Sequence, residues 1–132
     1  MVSAQGVQLA PFYDLLSIAA YESIAFDQKG WPEQTPLAWP IMGSRRFAEI
    51  NRRLLLEAGL ALGLATATAE RLIENLRVRI VKAAETLYAE YEDANTKLLS
   101  RQPYVPPSMA GESRCLKTIL HVVIKHMAKQ IA

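Results

Sequence analysis

The longest regular pattern in the chain begins near Thr68. Ala69, Leu72, Ile73, Leu76, Ile80, Ala84, Leu87 and Tyr91 recur at three- and four-residue steps. That period places them on one face of a helix, with Glu70, Arg77, Lys82 and Glu85 elsewhere on the wheel. Unbroken to Leu99, the helix would run about 48 Å at 1.5 Å per residue. Asp93, Ala94 and Asn95 form a local polar stretch where a fray or kink is expected. A second stripe, Leu116, Ile119, Leu120, Val123, Met127 and Ile131, predicts a terminal helix capped by Ser113. A third helix is expected over residues 45–58, capped by Ser44. In it Phe47, Ile50, Leu54 and Leu55 turn inward, and Arg45, Arg46, Glu49, Arg52 and Arg53 turn out. Gly59 fits the left-handed residue that stops such a helix.

Elsewhere the pattern is weaker. Residues 7–13 read as a short strand, with Pro11 at an edge or an end. From Leu15 to Phe26 the apolar spacing suits a short helix. Residues 27–43 carry Gly30, Pro32, Pro36, Pro40 and Gly43 and read as a Pro/Trp-rich loop, which Trp31 and Trp39 would pin to the body. Residues 102–112 form a second Pro-rich loop. The expected fold is a single helical domain over residues 1–132, mainly α, with one short N-terminal strand-like segment. One strand cannot make a sheet by itself, so any sheet would require another chain.

Composition narrows the class without naming a function. The chain has 132 residues, 51% of them hydrophobic and 21% charged, a size that supports one modest core. A formal net charge of +2 is too small to indicate nucleic acid. The single cysteine, Cys115, cannot close an internal disulfide, which fits a reducing cytoplasm. No secretory leader is read in the first residues, and no apolar run reaches the ~18 residues of a membrane span.

Candidate chemistry is sparse. Asp14 follows the apolar stretch Leu9-Ala10-Pro11-Phe12-Tyr13. An acid at the end of a strand can hold magnesium together with phosphate oxygens, and it can equally cap the next helix. His121 and His126 lie five residues apart, whereas a metal pair on one helical face wants three or four. Cys115, between Arg114 and Lys117 and expected in the first turn of its helix, has the setting of a thiolate but no positioned base. The cations Arg45, Arg46, Arg52 and Arg53 form one cluster, and Lys117, Lys125 and Lys129 form another with the histidines. Each can meet phosphate or an acidic partner, or simply face water. A helix-turn-helix over residues 45–80 would have a second helix too long and too apolar for typical base readout.

Two segments carry a family resemblance. Leu9 to Ser17, with Pro11-Phe12-Tyr13-Asp14 at its centre, resembles the strand-to-helix segment of HipA-type toxin kinases. Leu37-Ala38-Trp39-Pro40-Ile41-Met42-Gly43, followed by Arg45-Arg46-Phe47-Ala48-Glu49-Ile50, is similar to that family's Leu-Ala-x-x-Ile-Gly-Gly stretch and the helix after it. Met42 stands where the family has a glycine, and Trp39-Pro40 where it often has a lysine before the isoleucine. The resemblance implies part of the helical C-terminal lobe of a serine/threonine kinase from a toxin–antitoxin system. It implies Asp14 as a magnesium ligand, in the manner of the metal-binding aspartate of protein kinases. The family's Asp-Gly-x-x-x-Asn loop and its nucleotide lobe have no match here. Phosphoryl transfer needs that positioning machinery, so the expectation is a lobe that is not catalytic alone. Magnesium and ATP would bind only if a complementing kinase portion were present. An antitoxin, that complementing portion or a second copy are the expected partners. Direct contact with nucleic acid is not expected, and neither is a membrane. The other two readings are a helical protein–protein interaction module and a small helical DNA-binding regulator.

Overall fold

The computed structural model describes residues 17–101 and 104–132, together with the backbone of Val2–Ser3 and Gly6–Val7. The described chain is mainly helical, as its periodicity requires. Two short strands, β1 (Val2–Ser3) and β2 (Gly6–Val7), pair antiparallel. A one-turn helix α1 (Ile18–Tyr21) and a 3-10 turn (Ile24–Phe26) follow. The Ser23 hydroxyl, buried, donates to the Ala20 carbonyl at 2.6 Å. That bond competes with continued helix, and the chain leaves the turn through Asp27 at φ 58°. The helix expected from Leu15 to Phe26 is therefore divided. Its first residues, and most of the strand expected over residues 7–13, lie outside the described residues.

The Pro/Trp-rich loop expected over residues 27–43 proves to be partly sheet. β3 (Pro36–Ile41) and β4 (Ser44–Arg46) pair antiparallel, with Pro36 opposite Arg46, Ile41 opposite Ser44 and a bulge between those pairs. Met42 and Gly43 both take positive φ, 48° and 87°, the two-residue turn whose twist matches a hairpin. Pro36 opens its strand, where its missing N–H costs no ladder bond. A sheet thus forms within the chain, which corrects the expectation of a single strand-like segment. The prolines and tryptophans hid a strand whose partner is only three residues long.

The Trp31–Pro32 peptide is cis. Trp31 packs on Phe47, with ring centroids 5.1 Å apart. It anchors its segment as expected. Trp39 does not, being 83% exposed on β3.

After a 3-10 turn (Phe47–Glu49), α2 spans Arg52–Ala61. Its N-cap is Asn51, whose Oδ1 accepts from the Leu54 N–H at 3.0 Å. The helix expected from Ser44 thus starts later, because β4 uses residues 44–46. The inward assignments hold: Ile50 is buried and Phe47, Leu54 and Leu55 are half-buried. The stop is also displaced. Gly63, at φ 82°, is the left-handed residue. The Leu64 N–H donates to the Gly59 carbonyl at 3.0 Å and the Gly63 N–H to the Leu60 carbonyl at 2.9 Å, the paired bonds of a Schellman cap. Gly59 lies inside α2 against Ala69, where an added Cβ would come within 3.0 Å of the Ala69 Cβ.

α3 runs unbroken over 36 residues, Thr66–Arg101, about 54 Å at the usual rise. The break expected at Asp93-Ala94-Asn95 does not occur. Lys97 pairs with Asp93 one turn back at 2.6 Å, and such i,i+4 pairs support exposed helix. α4 (Pro107–Thr118) leads through a π-helical stretch (Ile119–Ile124) into α5 (Lys125–Gln130). α4 begins at Pro107, since proline suits the first helical position, so Ser113 is not a cap. The Pro-rich loop expected over residues 102–112 is correspondingly shorter. The Ser113 hydroxyl donates instead to Glu92 on α3 at 3.3 Å.

The core is small. Among the described residues its buried apolar members are Ala19, Ala20, Ile50, Ala69, Leu120 and Ala128. Four of the six are alanines, so elements approach closely and bury little area per residue. Gln130 of α5 ties the ends together by donating to the carbonyls of Phe47, Ala48 and Ile50.

Candidate interaction surface

Asp14, the single metal-ligand candidate, lies outside the described residues. Among the described residues no group of three or more His, Cys, Asp or Glu is placed to hold a metal ion.

The two histidines do not come together. His126 packs edge-on to Trp31 at 5.8 Å between centroids, and its Nδ1 accepts from the Trp31 indole N–H at 3.1 Å. Both ring systems are half-buried, so this bond satisfies an indole that would otherwise lose its water. His121 is exposed and sits edge-on to Tyr88 of α3, 6.5 Å away.

Cys115 is half-buried in the third turn of α4, not the first, because α4 starts at Pro107. The favourable field of a helix N-terminus does not reach that far. The thiol lies beside Tyr21. Hydrogen bonding to Cys115, then its charge and then burial hold the Tyr21 phenol above its ordinary value.

Tyr88 and Tyr91 stitch α3 to α4. Tyr88 donates to Glu92 at 2.8 Å, and Tyr91 reaches Glu112 and the Met109 carbonyl, each at 3.4 Å. The Lys117 ammonium lies 5.9 Å from the Tyr88 ring centroid, within range of a cation–π contact.

Much of the basic character is spent inside the chain. Arg52 and Arg77 share Glu74, at 3.3 and 2.5 Å. Hydrogen bonding from Arg77 is the main cause that holds the Glu74 carboxyl below the usual carboxylate range, with burial opposing and Arg52 assisting. Arg53 pairs with Glu57 at 2.8 Å and Lys125 with Glu85 at 2.8 Å. Both expected cationic clusters therefore present less free charge than their residue count implies.

The dominant feature is apolar and sits on α3. Its expected inward face is split lengthwise. At 3.6 residues per turn, Ile73, Arg77, Val81, Ala84, Tyr88 and Asn95 share an arc of about 80°, and all are half-buried on the side of α3 that meets α2, α5 and the π-helical stretch, with α4 reached through Tyr88 and Tyr91. The adjoining arc, again about 80° wide, holds Leu72, Leu76, Ile80, Ala83, Leu87, Ala94 and Leu98. These are exposed, Leu76 at 65% and Leu87 at 60%. Concavities border the stripe, two of them larger than the rest. Near its N-terminal end a cleft of about 260 Å³ between α2 and α3 is lined by Leu55, Leu62, Leu64, Leu72 and Leu76, with Ile131 at one side. Midway, a shallow groove of about 540 Å³ is lined by Arg79, Lys82, Ala83, Thr86, Leu87 and Glu90. Monomeric soluble proteins rarely leave a contiguous apolar strip of this kind uncovered. Sequence periodicity places Leu72, Leu76, Ile80 and Leu87 of the stripe on one face with Ile73 and Ala84, and leaves Ala83, Ala94 and Leu98 outside that pattern. No signal in one sequence separates an apolar face buried within the chain from one buried against another molecule.

Among the described residues no helix is long and apolar enough to cross a membrane. Comparison with family models, with curated proteins and with solved structures finds no match.

Proposed function

We propose that this chain works by binding: it is a helical interaction module related to the C-terminal lobe of HipA-type toxin kinases, with no phosphoryl transfer of its own, and it acts in the cytoplasm. One observation carries the binding reading. Leu72, Leu76, Ile80 and Leu87 lie along α3 at core spacing yet are exposed, and apolar area left in water at that spacing is recovered when a partner covers it.

The kinase relationship draws support from the hairpin. Met42, standing where the family has glycine, sits at φ 48°, a backbone region that costs any side chain but suits glycine. The turn thus asks for the residue type the family has at this place. In that relationship Asp14 is the magnesium ligand. It meets magnesium and ATP only in company with a kinase portion that supplies base, lysine and phosphate cradle. That portion, or an antitoxin, is the class of partner the relationship suggests. Direct binding of nucleic acid draws no comparable support, since Arg52, Arg53 and Lys125 are already paired with carboxylates.

Two measurements test the proposal. Titration of the chain with ATP and magnesium should give no saturable heat; saturable, magnesium-dependent binding would overturn the non-catalytic reading. A photo-crosslinking amino acid in place of Leu76, on the stripe, should trap a discrete adduct in the host cell. The same probe in place of Ala89, on the far side of α3, should not. Equal trapping at both positions, or none at either, would remove the stripe as a docking surface.

A further inference from the structure

We propose that the occupant of the α3 stripe is a second copy of this chain, its α3 lying antiparallel to the first and related to it by a two-fold axis near position 85. The inference rests on the docking reading above and names the partner.

Three observations bear on it. The first is the spacing. Reversal about position 85 exchanges Leu72 with Leu98, Leu76 with Ala94, Ile80 with Glu90 and Ala83 with Leu87. Every one of these residues is exposed and on the same arc of α3. Regular three- and four-residue spacing brings a stripe close to its own reverse whatever covers it, so the spacing permits a two-fold pair without singling one out. A two-fold interface needs that match, because residue i of one copy meets j of the other and j meets i. The layers also suit packing: Ala83 opposite Leu87 and Ala94 opposite Leu76 set small against large, so the two helices can interdigitate.

The second is charge. The midway groove carries Arg79 and Lys82 on the N-terminal side of position 85 and Glu90 on the C-terminal side. Among the described residues, none of the three is in an ion pair within the chain. Antiparallel pairing sets Arg79 of each copy beside Glu90 of the other. In a parallel two-fold pair the flank carrying Arg79 and Glu90 would lie on opposite sides of the seam in the two copies, so the two would not meet. Charge therefore favours the antiparallel orientation.

The third is shape at the ends. Leu98, 40% exposed, arrives over Leu72, at the mouth of the α2–α3 cleft lined by Leu62 and Leu76. A projecting apolar side chain thus meets an apolar recess at both ends of the pair.

The contact from Leu72 to Leu98 is about 39 Å long and, at helix width, about 10 Å across. Over both copies that is about 800 Å², below the usual size of permanent interfaces. The expected dimer is accordingly weak and reversible, with dissociation in the micromolar range.

Sedimentation equilibrium of the full chain across that range tests it. The apparent mass should climb from 14.7 kDa toward twice that value. Arg79→Glu and Glu90→Arg should each weaken association at least tenfold. The double exchange should return it to within about threefold of the parent, because swapping both partners restores the pair. Circular dichroism should be unchanged in all three, since these positions are exposed. A chain that stays monomeric overturns the second copy as partner, as does a dimer whose strength ignores the single exchanges or is not restored by the double one. The crosslink at position 76 separates this failure from failure of the docking reading. An adduct of any mass other than the dimer's removes the second copy and leaves the surface, whereas no adduct removes both.

Discussion

The closest approach of α2 to α3 yields the sharpest test of the packing. Gly59 sits inside α2, and a Cβ built there would lie 3.0 Å from the Ala69 Cβ and 3.8 Å from Leu64 Cδ1. Carbon–carbon contact is most favourable near 3.5–4.0 Å, so Gly59→Ala forces the helices apart by a few tenths of an ångström. Ala69 is 2% exposed, and its Cβ is fixed to its backbone and cannot swing away. Overpacking of this kind costs about 1–3 kcal/mol. Against it stands the gain of about 1 kcal/mol when alanine replaces glycine within a helix. The net expectation for Gly59→Ala is a loss of about 1 kcal/mol, or a few degrees in Tm for a domain of this size. Urea unfolding followed by circular dichroism measures it. A double-mutant cycle with Ala69→Gly isolates the contact: Gly59→Ala should gain stability in the Ala69→Gly background, with a coupling of at least about 1 kcal/mol between the sites. If Gly59→Ala instead stabilises the wild-type background by the full propensity term, and the cycle shows no coupling, the close approach of α2 and α3 is refuted.

Three further outcomes are expected. Met42→Gly should raise stability by about 0.5–1 kcal/mol, because relief of a left-handed side chain outweighs the greater chain entropy of glycine; a loss in urea unfolding would contradict the hairpin turn. Leu120→Ala, at the one large aliphatic side chain in the α3-facing stripe that is fully buried, should cost about 2–5 kcal/mol, and thermal melting that barely moves would place the core elsewhere. Glu74 titrates below the ordinary carboxylate value because Arg77, with Arg52, stabilises its charged form. Its contribution is therefore complete above about pH 4.3 and is lost as pH falls through the lower folded value. Glu74→Gln should remove that part of the acid dependence, and an unchanged stability-versus-pH curve would show that the Arg52, Glu74 and Arg77 cluster does not hold in solution.

Much of the fold was legible in the apolar period. The helical stretch around residues 69–99, the C-terminal stripe ending at Ile131 and the inward set Phe47, Ile50, Leu54 and Leu55 were all placed by spacing alone. Trp31 anchors its segment, as a large ring in a Pro-rich stretch predicts. The misplacements share a cause: local signals were correct in kind but claimed by another element. Ser44 and Ser113 are good caps in isolation, but β4 occupies the first and Pro107 starts α4 ahead of the second. Gly59 is a good helix stop in isolation, but Gly63 takes that role and Gly59 serves the helix crossing. Trp39 has the composition of an anchor, yet the hairpin turns it outward. Asp14, singled out by its segment's family resemblance, lies outside the described residues.

From its amino acids alone the chain is committed to a mainly helical domain, because three- and four-residue apolar spacing has no other way to gather its side chains on one side. Which part of that apolar surface becomes interior is not a local property. On α3, Ile73 and Ala84 are half-buried while Leu72, Leu76 and Leu87 are left exposed, although all belong to one continuous pattern. The difference is set by where α2, α5 and the π-helical stretch come to rest, and a helix of about 54 Å exceeds what those short neighbours can cover. Only the packed arrangement decides how much of the stripe is left for another molecule.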